Sequence, residues 1–364
     1  MSGSGAAAPD VPAGQVAEPP VTLGIDVGGT KMLGVALDAA GAVLAEFRRP
    51  SAHVADYAPS GTAGAEALLG AMAELSDELC SSLEAAGHPP AVSVGVGVPG
   101  LVDDTGRLRF APNLPAGDDM EVAELLGRLL GLPVVADNDA TCATVAEWVV
   151  GAAAGSHDAL VVTFGTGIGG GLVCDDRIMR GANGFAGEVG HMVVDPSGPQ
   201  CTCGKRGCWE RFASGSGLAR LAQLAAQTGR LSSAVHLVGD DPDAVRGEHV
   251  TAAAEGGDPE SIALLADFGR WVALGLSNLA LVLDPDIIVV GGGLTHALSM
   301  VLDTVQSDFQ EMLEGADRRP VIPIVPAALG EEAGAVGAAL VARTDDRYAA
   351  GAHRRHGAPG GAAG

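Results

Sequence analysis

Basic residues are scarce in this chain: 21 Lys and Arg stand against 45 Asp and Glu, for a net charge of −24. A field of that sign repels phosphodiester backbones, and no local basic patch offsets it, so nucleic acid is not an expected partner. The first thirty residues contain no Lys or Arg at all, so the positively charged start of a secretory signal is missing. Aromatics are only 3% of the chain, which leaves packing to Ala, Val and Leu and points, with 54 Gly, to many tight turns. Long apolar runs are also missing. The longest uncharged apolar helix candidate, Trp271 to Leu283, is too short to span a bilayer. A soluble cytoplasmic protein without a membrane partner is expected.

What is present is a folded chain long enough for two domains, with 47% hydrophobic residues. Short β-branched runs alternate with longer Ala/Leu/Glu stretches, the pattern of an α/β protein. Strands are predicted at Thr22–Asp26, Lys31–Leu37, Ala42–Phe47, Val92–Val98 and Val134–Asp137, with helices at Gly64–Ala86, Met120–Leu130 and Ala140–Val149. A second round opens with Leu160–Phe164 and Ile168–Cys174, followed by helices near 215–228 and 259–283 and a strand at Ile287–Val290. Each half begins with a strand, a Gly/Thr turn and a returning strand, so a duplicated α/β domain with a cleft between the copies is expected. The predicted organisation is an N-terminal domain over 21–138 and a C-terminal domain over 139–330. A strand at Val321–Val325 and a helix from Glu331 to Ala342 follow, the segment 331–343 returning to the first half. Residues 1–20 and 344–364 read as disordered tails.

Thiols are few, but three of the six lie together. Gly187-Glu188-Val189-Gly190-His191 precedes Cys201-Thr202-Cys203-Gly204-Lys205-Arg206-Gly207-Cys208-Trp209-Glu210, so one imidazole and three thiols fall within eighteen residues. His191, Cys201, Cys203 and Cys208 complete a tetrahedral zinc shell with no position left for a reactive water, so the metal is expected to be structural. A disulfide or redox pair is the alternative, and it would suit a secreted chain. Cys80, Cys142 and Cys174 read as reduced core residues. Glu188 and Glu210 flank the cluster, placed to grip hydroxyl groups.

Two glycine turns join strands: Asp26-Val27-Gly28-Gly29-Thr30-Lys31 and Gly165-Thr166-Gly167. Glycine lets backbone N–H groups approach an anion closely, and the Thr hydroxyls add donors. Neither is a Walker loop nor a dinucleotide fingerprint, since no Gly-Lys-Ser/Thr follows and each turn leads into a strand. Either turn alone is equally a plain hairpin connection; facing each other they would clamp a polyphosphate. Asp26 is the kind of carboxylate that holds magnesium through water, and Gly291-Gly292-Gly293 offers flat backbone for an adenine ring or an ordinary turn. Asp137-Asn138-Asp139 ends a strand and opens a helix. Asp139 is the candidate general base, expected to be ionised and weakly basic at a helix N-terminus; the plain alternative is a helix cap. Asn113, in Pro112-Asn113-Leu114-Pro115, is a turn residue on local sequence alone.

Taken together these residues resemble the ROK family of sugar kinases, especially the bacterial ATP-dependent glucokinases, over about residues 21–343. Asp26-Val27-Gly28-Gly29-Thr30 and Gly165-Thr166-Gly167 are similar to its phosphate motifs, Asn138-Asp139-Ala140 to its catalytic motif, and the His/Cys cluster with Glu210 to its zinc signature. The resemblance implies an actin-like, ribonuclease H-like fold with ATP and Mg2+ in the cleft, Asp139 as catalytic base, and sugar contacts from Asn113, Asn138, Glu188, His191 and Glu210. It also implies that His191 ligates zinc, that Lys31, Thr166, Gly167, Gly292 and Gly293 lie along the nucleotide, and that the chain forms a homo-oligomer, dimer or tetramer. Phosphorylation of a hexose, foremost glucose, at its 6-hydroxyl is the expected reaction. N-acetylmannosamine as acceptor, polyphosphate as donor and a sugar-sensing regulator are the alternatives. Asp137 and Thr141 depart from the residues common at those places in the family.

Overall fold

The computed structural model describes residues 20–29, 31–50, 62–111, 114 and 119–343. Thr30, Asn113 and most of both predicted tails lie outside the described residues.

The first half builds β1 (Val21–Val27), β2 (Lys31–Leu37), β3 (Val43–Pro50), α1 (Thr62–Ala86), β4 (Ala91–Val98), the short ribbon β5 (Leu101–Val102) and β6 (Leu108–Phe110), α2 (Val122–Leu130) and β7 (Val134–Asn138). Its sheet runs β3-β2-β1-β4-β7, with β1 antiparallel to β2 and parallel to β4. On α1 the buried residues Met72, Leu75, Leu79 and Leu83 recur at helical spacing and cover the sheet. Each such burial stabilises by about 1.5–3 kcal/mol.

After α3 (Asp139–Val149) the pattern repeats with β8 (Ala159–Phe164) and β9 (Ile168–Val173). The helices α4 (Glu210–Ala213), α5 (Gly215–Gln227), α6 (Ser232–His236), α7 (Gly247–Glu255) and α8 (Pro259–Leu283) come next. The chain then forms β10 (Ile287–Gly291), α9 (Thr295–Ser299), α10 (Leu302–Met312), β11 (Ile324–Pro326) and α11 (Ala333–Val341). The second sheet runs β11-β10-β8-β9, again a hairpin followed outward by two parallel strands. The two sheets thus share one order, β2-β1-β4-β7 matching β9-β8-β10-β11, with β3 as the extra edge strand. The last strand starts at Ile324, later than the predicted Val321, and the final helix proper starts at Ala333 after a 3-10 turn at Gly330–Glu332. Of the three thiols expected in the core, Cys142 is buried, whereas Cys80 and Cys174 are half-buried.

The sequence reading found no helix able to span a bilayer, and α8 corrects it. At 25 residues α8 is long and apolar enough by length and composition. Half of that stretch is buried, however, and Leu264, Leu265, Phe268, Val272 and Leu276 join the core of the second half. It is therefore placed as a core helix of the second half.

Two helices lie between the sheets. α3 packs on β8 and β9, α11 packs on β1, β2 and β4, and the two pack on each other. The approach is at backbone distance: a Cβ on Gly24 of β1 would lie 1.9 Å from the Ala335 carbonyl oxygen, and one on Gly95 of β4 would lie 1.7 Å from that of Ala338. Only glycine strands admit a helix so close.

Candidate active site

Parallel pairing of β7 with β4, Val98 opposite Asn138, brings the start of α3 to the carboxyl edge of the first sheet, where open α/β sheets bind ligands. Asn138, not Asp139, caps α3. Its Oδ1 accepts from Thr141 N at 3.0 Å, and its Nδ2 donates to the Gly100 carbonyl at 3.1 Å. Asp139 is left as the first helical residue, its Oδ1 accepting from Ala140 N at 2.8 Å. The expected depression of its pKa is corrected by the structure. Desolvation raises the carboxyl above the ordinary aspartate range, outweighing the backbone and Asn138 hydrogen bonds that lower it.

Asp26, the last residue but one of β1, lies against α11, where a Cβ on Gly334 would meet its carboxyl carbon at 2.6 Å. Burial first, then the charge of Asp139, push its pKa up to about 7, with Lys31 pulling the other way. The charge of Asp139 therefore bears on Asp26. In the first turn Gly28 N donates to Lys31 O at 2.9 Å, and Lys31 Nζ pairs with Glu331 at 2.6 Å.

In the second half the segment after Gly187 packs on β9, and a 3-10 turn at Val189–His191 carries the imidazole. Nδ1 of His191 faces Cys201 Sγ at 3.8 Å and Glu210 Oε1 at 3.7 Å, while Nε2 faces Glu188 at 3.9 Å. The Sγ atoms of Cys203 and Cys208 are 3.6 Å apart, and the four donor atoms of His191 and the three cysteines lie within 4.8 Å of one another. A tetrahedral zinc with bonds of about 2.0–2.3 Å sets its ligands about 3.3–3.8 Å apart, so the donor set fits that ion. Cys201 Sγ also lies 2.9 Å from Glu210 Oε1.

Glu210 also reaches the second turn, where a Cβ on Gly167 would lie 2.7 Å from its Oε2. Burial raises the pKa of Glu188; His191 opposes the shift, and the charges of Asp139 and Glu210 add to it. Asp26, Asp139, Glu188, His191, Glu210 and Gly167 thus form one continuous neighbourhood. Thr166 is exposed at the tip of the second turn, which Gly165 N closes onto Gly167 O at 3.0 Å. Gly292, at φ +90, presses on the backbone of Phe164, whose carbonyl accepts from Leu294 N at 2.9 Å, and Gly293 stands open. The triglycine run and the second turn are therefore tied through Phe164.

Three contributors escaped the sequence reading. Trp209 is fully buried, meets Phe164 edge-on at 5.6 Å and donates from Nε1 to Trp271 O at 2.7 Å, clamping the cysteine loop to α8. Ser214 caps α5, and Gly215 N donates to Gly165 O at 2.8 Å, so the helix start abuts the second turn. The run Ser214-Gly215-Ser216-Gly217 carried a capping signal that would have located it. Arg180 pairs with Asp137 in a contact for which the local sequence holds no cue.

Two α/β halves of one strand order, each opening with a glycine turn, and a carboxyl at a helix start near a His/Glu-lined loop define a phosphotransferase of the actin-like ATPase class. The chain belongs to the ROK family, which it matches over residues 22–345. It is 36% identical to the glucokinase of Streptomyces coelicolor over 331 residues, covering 90% of this chain and 98% of that enzyme. In structure it is similar to the ROK family glucokinase of Streptomyces griseus in complex with glucose and AMPPNP, at TM-score 0.75 and 34% identity, covering 89% of this chain and all of that one. The ROK hexokinase of Thermus thermophilus is similar at TM-score 0.71 and 33% identity, with 88% and 97% covered.

Proposed function

We propose that this protein is an ATP-dependent glucokinase that transfers the γ-phosphoryl group of ATP to the 6-hydroxyl of glucose. One observation carries the reading: Asp139, with its pKa raised, shares a neighbourhood with Glu188, His191 and Glu210, and Glu210 touches the second glycine turn. In this reading Asn113, Asn138, Glu188, His191 and Glu210 hold the sugar hydroxyls. Asp139 orients the 6-hydroxyl and accepts its proton as the oxygen–phosphorus bond forms and ADP leaves. A loose transition state asks more for orientation than for early proton removal, and a raised pKa makes Asp139 the better acceptor when the proton does move.

Backbone N–H groups of Gly29, Thr30, Thr166 and Gly167 cradle the phosphates, Gly28 closes the first turn onto Lys31 O, and Gly292 and Gly293 give the adenine a flat seat. Magnesium beside Asp26 would neutralise phosphate charge when bound. Lys31 has a partner in Glu331, so its part is to hold the first turn to the start of α11. Structural zinc on His191, Cys201, Cys203 and Cys208 would stiffen the sugar loop, fixing the imidazole through Nδ1 and leaving Nε2 for a hydroxyl. The lobes are 21–138 with 331–343, and 139–330, closing over the sugar to exclude water. We place the enzyme in the cytoplasm as a homo-oligomer, without nucleic acid or membrane partners.

A coupled ADP-release assay with ATP across glucose, mannose, fructose and N-acetylmannosamine, run beside polyphosphate, tests the reading. Strong preference for glucose with ATP is expected. A flat response across all sugars removes the kinase assignment.

A further inference from the structure

Asp137 is 6% exposed, and its two carboxylate oxygens have separate tasks. Oδ1 accepts from Asn138 N at 2.8 Å, beside the cap of α3 and one residue from Asp139. Oδ2 accepts from Arg180, Nε at 2.7 Å and Nη2 at 2.6 Å. Arg180 comes from the far half of the chain, past the end of β9. Its own carbonyl accepts from Ala186 N at 3.1 Å, closing the loop two residues before Glu188. That loop is also pressed on the first half: a Cβ on Gly184 would lie 2.6 Å from Val102 O. One arginine therefore holds the strand end that carries Asp139 with its side chain, and the loop that carries Glu188 and His191 with its main chain.

We propose that Arg180 is a positioning residue which, through Asp137, sets the distance between the Asp139 carboxyl and the sugar-gripping segment 187–191. The proposal rests on the kinase reading above. Two N–H groups on one planar guanidinium fix direction as well as charge, which an ammonium cannot reproduce. Misplacement of reacting groups by about 1 Å can cost about 100-fold in rate, so a residue that never touches the substrate can still govern turnover.

The test uses the full-length enzyme with R180M, R180K, D137N and the D137N/R180M double variant. For each, kcat is expressed per nucleotide site counted with a non-hydrolysable ATP analogue, so that a misfolded fraction does not count as lost rate. R180M is expected to lose about 10–100-fold in kcat with the KM for ATP within about twofold. R180K should fall between R180M and wild type, and the double variant should be no slower than the slower single one, as expected of partners in one interaction. Wild-type kcat in R180M, or single effects that multiply in the double variant, would overturn the inference. If R180M does not fold, R180K decides: full wild-type kcat in folded R180K overturns it, and a lowered kcat with unchanged KM for ATP supports it. An unsubstituted enzyme inert toward every sugar would instead remove the kinase reading, and this inference with it.

Discussion

Glu210 lies over Gly167 so closely that a methyl group on the glycine would stand 2.7 Å from its Oε2, while its other oxygen is 2.9 Å from Cys201 Sγ. The carboxylate is held between the cysteine loop and the second glycine turn. Gly167→Ala should therefore displace Glu210 rather than distort the turn, because the obstructing atom is the end of a side chain. The expected result is a rise of about tenfold in the KM for glucose, with a smaller effect on ATP. Paired KM measurements check it.

Asp139→Asn should lower kcat by about 100–10,000-fold, the range for losing a general base, while glucose binding by calorimetry stays nearly unchanged. Because burial raises the Asp139 pKa, activity should fall on acidification at a pH above the ordinary aspartate range. A pH profile of kcat/KM with its acid limb at or below that range would contradict this.

Asp26 makes stability depend on pH in the metal-free protein. Its folded pKa of about 7 exceeds the ordinary aspartate value of 3.8, so the folded state holds the proton more tightly than the unfolded one. The stabilisation is full below the unfolded pKa and is lost as pH rises toward 7, on the order of a few kcal/mol. Urea midpoints measured between pH 4 and 8 should decline, and Asp26→Asn should flatten the decline.

Removal of metal should act on the sugar loop. The purified protein is expected to carry one zinc per chain by elemental analysis, and chelation should lower the thermal midpoint and the glucose affinity together. Cys203→Ser should reproduce both effects. An active, stable protein free of zinc would count against the structural role.

Glu147, nearly fully buried on α3, accepts from Ala152 N at 2.8 Å, Ala328 N at 3.0 Å and Leu329 N at 2.9 Å. It ties the end of α3 to the approach to α11. Glu147→Gln keeps the shape but replaces one accepting oxygen with a donor, leaving at least one backbone N–H unpaired. A loss of about 1–3 kcal/mol is expected, read by chemical denaturation.

Much of the site was legible because its signals are local. The hairpins at Asp26–Lys31 and around Gly165-Thr166-Gly167 are marked by β-branched runs broken by glycine, and the His191/Cys201/Cys203/Cys208 spacing states its own chemistry. Cap identity was harder, since Asn138 and Asp139 are both favourable caps; β7 decided by ending with Asn138 in extended backbone. The helices α4, α6, α7, α9 and α10 escaped the sequence reading, and on α10 only Val305 and Phe309 are buried, too few to set a clear period.

The chain by itself determined the donor set, the glycine turns and the strand–turn–strand opening of each half, because each depends on residues within a few positions of one another. Only the folded protein decided which carboxyls keep a raised pKa, which oxygen of Asp137 meets Arg180, and that Glu210 serves both the cysteine loop and the phosphate turn. Those outcomes follow from desolvation and contact between segments tens of residues apart, and distance of that kind is set by packing.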